Sequence, residues 1–76
     1  MTNNDIREHL ENLIGAITFE YNGYSCGIDP LGIDEFELWY GDESITLETI
    51  DEVMTTKFFN GNSLEDILED ATDFDY

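Results

Sequence analysis

The segment Ala16–Ile28 reads AITFEYNGYSCGI, and its pattern decides the fold. Ile17, Phe19 and Tyr21 alternate with Ala16, Thr18 and Glu20, the two-residue period of a strand with one buried face. Asn22-Gly23 follows, the dipeptide best suited to the two positive-φ positions of a type I′ turn. Register provides a check. A two-residue loop there sets Tyr21 opposite Tyr24, Phe19 opposite Cys26 and Ile17 opposite Ile28, so every large apolar residue of both arms falls on one face.

Upstream of the hairpin, Ile6, Leu10, Leu13 and Ile14 recur at helical spacing. They predict a helix over 5–14, capped by Thr2, Asn3 or Asn4 and stopped by Gly15. Downstream, Asp29-Pro30-Leu31-Gly32 predicts a turn or short loop, because Pro30 lacks a donor and Gly32 permits positive φ. A third strand runs through Phe36, Leu38 and Tyr40, with Glu35, Glu37 and Trp39 on its other face. A reversal around Gly41-Asp42-Glu43 that sets Tyr40 opposite Ile45 and Leu38 opposite Leu47 makes 44–48 a short fourth strand; the competing possibility is a helix capped at Thr46. Thr49-Ile50-Asp51-Glu52 is a capping box, with Glu52 placed to reach the Thr49 amide. It opens a second helix that buries Ile50, Val53, Met54 and Phe58 and closes at Asn60-Gly61. Ser63-Leu64-Glu65-Asp66 repeats the box and opens a third, with Leu64, Ile67, Leu68 and Ala71 inward, while 72–76 reads as a frayed tail. The expected fold class is α+β: an N-terminal helix, an antiparallel meander of three or four strands, and two C-terminal helices in one domain spanning 1–76.

The chain has 76 residues, 19 Asp+Glu against 2 Lys+Arg, and a formal net charge of −17. That length allows one small domain, and 21 Leu, Ile, Val and Phe with ten aromatics in all are enough for a core. The single cysteine, Cys26, excludes an internal disulfide, and no Cys/His cluster offers a zinc site. The N-terminus lacks the basic and apolar regions of a secretion signal, and no stretch approaches the ~20 apolar residues of a membrane span. A soluble, cytoplasmic protein is expected, monomeric or weakly dimeric. Its charge repels nucleic acid and acidic lipid, so no direct contact with either is expected; the natural counterpart is a basic protein, itself of the nucleic-acid-binding kind.

The charge is uneven, −4 over residues 1–33 and −13 over 34–76. On the expected third helix, Glu65, Asp66, Glu69, Asp70 and Asp73 share the face opposite Leu64 and Leu68 as a carboxylate ridge. Its i, i+4 pairs are about 6 Å apart along the axis, between one and two of the ~3.4 Å phosphate steps of a DNA strand. Glu48, Asp51 and Glu52, with Asp42 and Glu43 in the preceding turn, can widen the patch. A charge run is often only a solvated helix face. Here like charges at i, i+4 cost stability and almost no cations offset them, which weighs equally toward a field that is used. The use would be polyanion mimicry: carboxylates on a rigid scaffold filling a Lys/Arg groove made for nucleic acid.

Other chemistry is sparse. Asp29, Asp34 and Glu35, or Asp70, Asp73 and Asp75, could collect a hard cation weakly, but neither set matches an EF-hand loop. His9, the only histidine, is expected as an exposed helix residue far from any nucleophile, and Cys26 as a core residue opposite Phe19. Neither catalytic residues nor a cofactor is expected. Trp39 should point to the other face of the sheet, where either a helix covers it or it anchors a partner together with Tyr24 or Phe59.

The architecture, small size and acidity resemble the small anti-CRISPR proteins of prophages that inhibit type II-A Cas9. Two stretches are similar: Asn4-Asp5-Ile6-Arg7-Glu8 at the chain start, and Phe58-Phe59-Asn60-Gly61 at the close of the second helix. The resemblance implies an acidic surface placed in the basic site where Cas9 reads its protospacer-adjacent motif. Both stretches are scaffold, so the nominated acids rest on the charge pattern alone. More broadly, the chain resembles phage-borne DNA mimics. The leading expectation is therefore a non-enzymatic inhibitor of a nucleic-acid-binding protein; the alternatives are an acidic adaptor or immunity-like module that binds a basic protein without mimicking DNA, and a weak divalent-cation-binding domain.

Overall fold

In the computed structural model, which describes residues 1–76, the hairpin closes in the register its sequence dictates. Between β1 (Ile17–Tyr21) and β2 (Tyr24–Gly32), Tyr21 pairs with Tyr24, Phe19 with Cys26 and Ile17 with Ile28. Asn22 and Gly23 both take positive φ, 54° and 82°, as the type I′ turn requires. β3 (Glu35–Tyr40) and β4 (Glu43–Leu47) extend the meander on one side, and β5 (Thr72–Asp75) adds to β1 on the other, giving the antiparallel order β4-β3-β2-β1-β5.

Three helices, α1 (Asn3–Glu11), α2 (Ile50–Thr55) and α3 (Leu64–Ile67), share one core with one face of this sheet. Ile17, Phe19, Cys26, Ile28, Phe36 and Leu38 supply the inner face, against Ile6 and Leu10 of α1, Val53 and Met54 of α2, Leu64 and Ile67 of α3, and Phe59. The architecture is α+β, as the sequence predicts. No helix is long and apolar enough to cross a membrane.

The strands differ from expectation at two connections. Asp29-Pro30-Leu31-Gly32 is not a turn: β2 continues through it, with Pro30 opposite Phe36, and the chain reverses at Ile33-Asp34. β1 begins opposite Ile28, so beyond that residue β2 has no neighbour on its β1 side and a missing N–H there breaks no ladder bond. The β3–β4 connection is a two-residue turn at Gly41-Asp42, which pairs Tyr40 with Glu43, Leu38 with Ile45 and Phe36 with Leu47. The offset from the expected register is two residues, so Ile45 and Leu47 still face inward. Gly41 makes the tight turn possible: its φ is +59°, and a Cβ there would lie 2.9 Å from the Tyr24 ring.

All three helices are shorter than their periodicity suggests. α1 begins at the Thr2 cap, where Thr2 accepts from the Asp5 amide and Asp5 accepts from the Thr2 amide, at 3.2 and 3.1 Å. It stops at Glu11: the Asn12 amide and side chain both donate to the Glu8 carbonyl, and the Leu13 amide then closes on Leu10, three residues back, instead of continuing the helical ladder to His9. Leu13 then turns to φ 49°, and Leu13 and Ile14 are exposed rather than part of the buried stripe. α2 is capped by Thr49, but Glu52 does not complete the box; it accepts the Thr49 hydroxyl instead. It ends at Thr55, so Asn60-Gly61 does not terminate it. That pair, at φ 55° and 82°, forms its own reversal, bridged between Phe59 and Asn62, and delivers Phe59 into the core with Phe58 half-buried beside it. α3 has its full capping box but only one turn. The last residues are not frayed: Ala71 is buried, 72–75 form β5, and Phe74 stacks on Phe19 at 5.3 Å.

Candidate partner-binding surface

The nominated carboxylates divide by what holds them. Arg7 of α1 reaches across to α2 and α3, with Nη1 2.6 Å from Asp51 Oδ1 and Nη2 3.6 Å from Glu65 Oε1. The Asp51 bond raises the guanidinium further above its ordinary range. Lys57, just after α2, lies 3.2 Å from Asp66. Both basic side chains are therefore committed to bracing the helices. Asp66 also accepts the Ser63 amide, completing the capping box whose N-cap is Ser63, and its pKa is lowered by the Ser63 hydrogen bonds first and by Lys57 second.

The expected ridge does not form as one helical face. Regular helix ends at Ile67, where the Asp70 and Ala71 amides both close on the Ile67 carbonyl. Glu69 and Asp70 thus sit in the turn, and Asp73 lies in β5 at φ 56°, outside any helical spacing. Beyond the turn, 72–75 pair with β1 and Phe74 packs on Phe19. Asp42 and Glu43 line a shallow pocket with Asn22, Tyr24, Tyr40 and Asn60. Glu48 lies at the other end of β4, beside Asp34 and Glu35, about 16 Å away for a five-residue strand. These residues do not widen one patch. Glu52 is exposed in the first turn of α2.

The cation alternative finds no geometry: neither Asp29, Asp34 and Glu35 nor Asp70, Asp73 and Asp75 converge into a set of three that could hold a metal ion. Cys26 is buried opposite Phe19 as expected, and burial pushes its thiol pKa up, away from nucleophilic use. His9 is buried rather than exposed. Its Nε2–H donates to the Gly15 carbonyl at 3.0 Å, and its ring meets Tyr76 edge-on at 6.1 Å. The signal was available, since His9 follows Ile6 by three residues and sits on the same helical stripe. Phe59 is fully buried and cannot anchor a partner, whereas Tyr24 is half exposed at the hairpin end.

Trp39 does lie on the other face of the sheet, but no helix covers it. It pairs with Gly27, and its six-membered ring rests on that residue: a Cβ on Gly27 would fall 2.2 Å from the indole and 2.7 Å from the Ile17 carbonyl. The outer face also carries Glu20, Asp29, Glu37 and Asp75, none of them among the carboxylates of the helices. Strand parity alone places the first three.

The paired role of Asp66 predicts a pH response. A lowered folded-state pKa means that the cap contributes above the ordinary value of 3.8 and is lost as pH falls below it. The Tm advantage of the protein over its Asp66→Asn variant should therefore be constant at neutral pH and shrink toward zero below pH 3.8, read by thermal melts of both across that range. A difference independent of pH would sink the assignment.

Comparison with protein-family models, curated proteins and solved structures finds no match to this chain.

Proposed function

We propose that this protein is a non-enzymatic acidic inhibitor, of the kind carried by phages and mobile elements, that acts in the host cytoplasm by occupying the basic groove of a nucleic-acid-binding protein. One observation carries the reading. The only two basic side chains are both spent on internal ion pairs, so that, Asp51, Glu65 and Asp66 apart, every one of the 19 carboxylates is without a cationic partner. A small rigid sheet-and-helix scaffold holding that many unneutralised charges is suited to release counterions from a Lys/Arg groove. The resemblance to anti-CRISPR proteins makes a CRISPR nuclease a concrete first partner to try.

The test uses exposed acids that hold nothing internally. Neutralising Glu69, Asp70 and Asp73 together should preserve the circular dichroism spectrum and weaken inhibition of duplex binding by guide-loaded type II-A Cas9 about tenfold, at ~0.5 kcal/mol per exposed charge. Neutralising Glu8, Glu11 and Asp34 should change it less than about threefold. Affinity should also fall linearly with log salt, and duplex DNA should compete. Equal losses from both variants would reduce the effect to bulk charge. Simultaneous binding of this protein and DNA to one partner would refute mimicry and favour an adaptor, because two polyanions cannot fill one groove.

A further inference from the structure

We infer that the uncovered outer face of the sheet is a docking surface for an arginine-bearing segment of a basic protein, with Trp39 as the stacking platform. This rests on the basic partner proposed above but places a contact where that reading puts none.

One cross-strand row runs through all five strands as Ser44, Trp39, Gly27, Thr18 and Asp75. Gly27 has no side chain, so the indole lies down over the β2 backbone instead of standing off the sheet. Trp39 is only half-buried there, a large aromatic face among small hydroxyl and carboxylate side chains. Glu37 precedes it by two residues on the same strand, about 7 Å away, and Asp29 pairs with Glu37. Glu20 lies in the adjoining row on the other side, opposite Ser25. The indole is thus flanked by carboxylates. No cation shares this face, since Arg7 and Lys57 are both engaged with the helical layer.

Charge complementarity selects the occupant. A second copy would bring its own −17 against these carboxylates, and a nucleic acid would bring phosphates. A guanidinium satisfies both elements at once, stacking its plane on the indole while its N–H groups meet the flanking carboxylates. Lysine offers a point charge without the planar fork. Five strands at ~4.8 Å spacing and about five residues long give a face of roughly 20 by 16 Å, which suits one extended or helical segment rather than a domain.

Trp39 is the only tryptophan, so its emission reports the site directly in the intact protein. The experiment titrates the protein with nonaarginine and with nonalysine at fixed ionic strength, following Trp39 fluorescence and, in parallel, heat by calorimetry. Nonaarginine should perturb Trp39 emission saturably, protect it from acrylamide, and bind about threefold or more tighter than nonalysine, the size of an exposed cation–π contact. The double variant Asp29→Asn/Glu37→Gln should weaken nonaarginine about fivefold, and Trp39→Phe, checked for folding by circular dichroism, should shrink the preference for arginine. Calorimetric binding that leaves Trp39 emission and acrylamide access unchanged, or equal affinity for both peptides, would overturn the outer-face site while leaving groove mimicry standing. Absence of binding by either peptide would also overturn it, and the DNA competition above judges mimicry separately.

Discussion

Replacing Phe59 with Ala should lower the Tm by about 15 °C or more, or leave the protein unfolded at room temperature. Phe59 is completely buried, and the rings of Phe58, Phe19 and Tyr40 stand 5.2, 5.7 and 6.3 Å from it. It comes from a two-residue reversal rather than from a helix, so no neighbouring turn can slide in to fill the space. Emptying a buried Phe site costs about 3–5 kcal/mol. A 76-residue domain has about 4–11 kcal/mol in total, and self-repulsion at −17 draws on it further. Phe58→Ala, at a half-buried position, should cost clearly less, and Ile14→Ala, at a residue 66% exposed, almost nothing. Urea denaturation of the three variants side by side checks the ranking. A Phe59→Ala protein within about 1 kcal/mol of wild type would mean that the core does not close around this ring.

Deleting Thr72–Tyr76 should lower the Tm by about 10 °C or more. The deletion strips β1 of its outer neighbour, removes the Phe74 ring from Phe19 and takes Tyr76 from the edge of His9. It also removes Asp73 and Asp75, which relieves repulsion and works in the opposite direction. The control is Asp73→Asn/Asp75→Asn, which should match or exceed the wild-type Tm. Amide exchange in β1 should accelerate in the deletion and not in the control. A deletion that melts like the intact chain would restore a frayed end.

That strand is also the clearest case of what the sequence does not display. Thr72-Asp73-Phe74-Asp75 has a single apolar residue, acidic neighbours and a positive φ at Asp73, so nothing local marks it as β. Its place is set by the free edge of β1, a fact about the assembled sheet. The Ile17–Ile28 hairpin was legible because its turn and its alternation agree, and the caps at Thr49 and Ser63 because capping is a short-range hydrogen bond, whereas Thr2 was one of three candidates beside Asn3 and Asn4. Pro30 misled because a proline reads as a break unless one knows that the strand beside it has already ended. The carboxylates were legible as residues but not as an arrangement: a ridge over 65–73 needs two turns of helix, and α3 has one. For Trp39, parity gave the face, but its exposure follows from a shortage of material. Three short helices pack on the inner side of a five-stranded sheet, and none remains for the other.

The open sheet has two rims. On β5 the rim is interrupted by the irregular pairing around Asp73 and carries two carboxylates in four residues. On β4 it is a regular run, Ser44-Ile45-Thr46-Leu47, uncharged between Glu43 and Glu48 and unpaired along its outer side. Such a rim is a template for another copy of itself, and proteins commonly guard it with lysine, proline or a bulge placed on the strand. Here the guard is global: every approaching copy carries the same sign. The protection is therefore conditional on pH. Near the isoelectric point of about 4.1 it vanishes, and β4 is then the edge along which sheets of separate molecules would pair edge to edge.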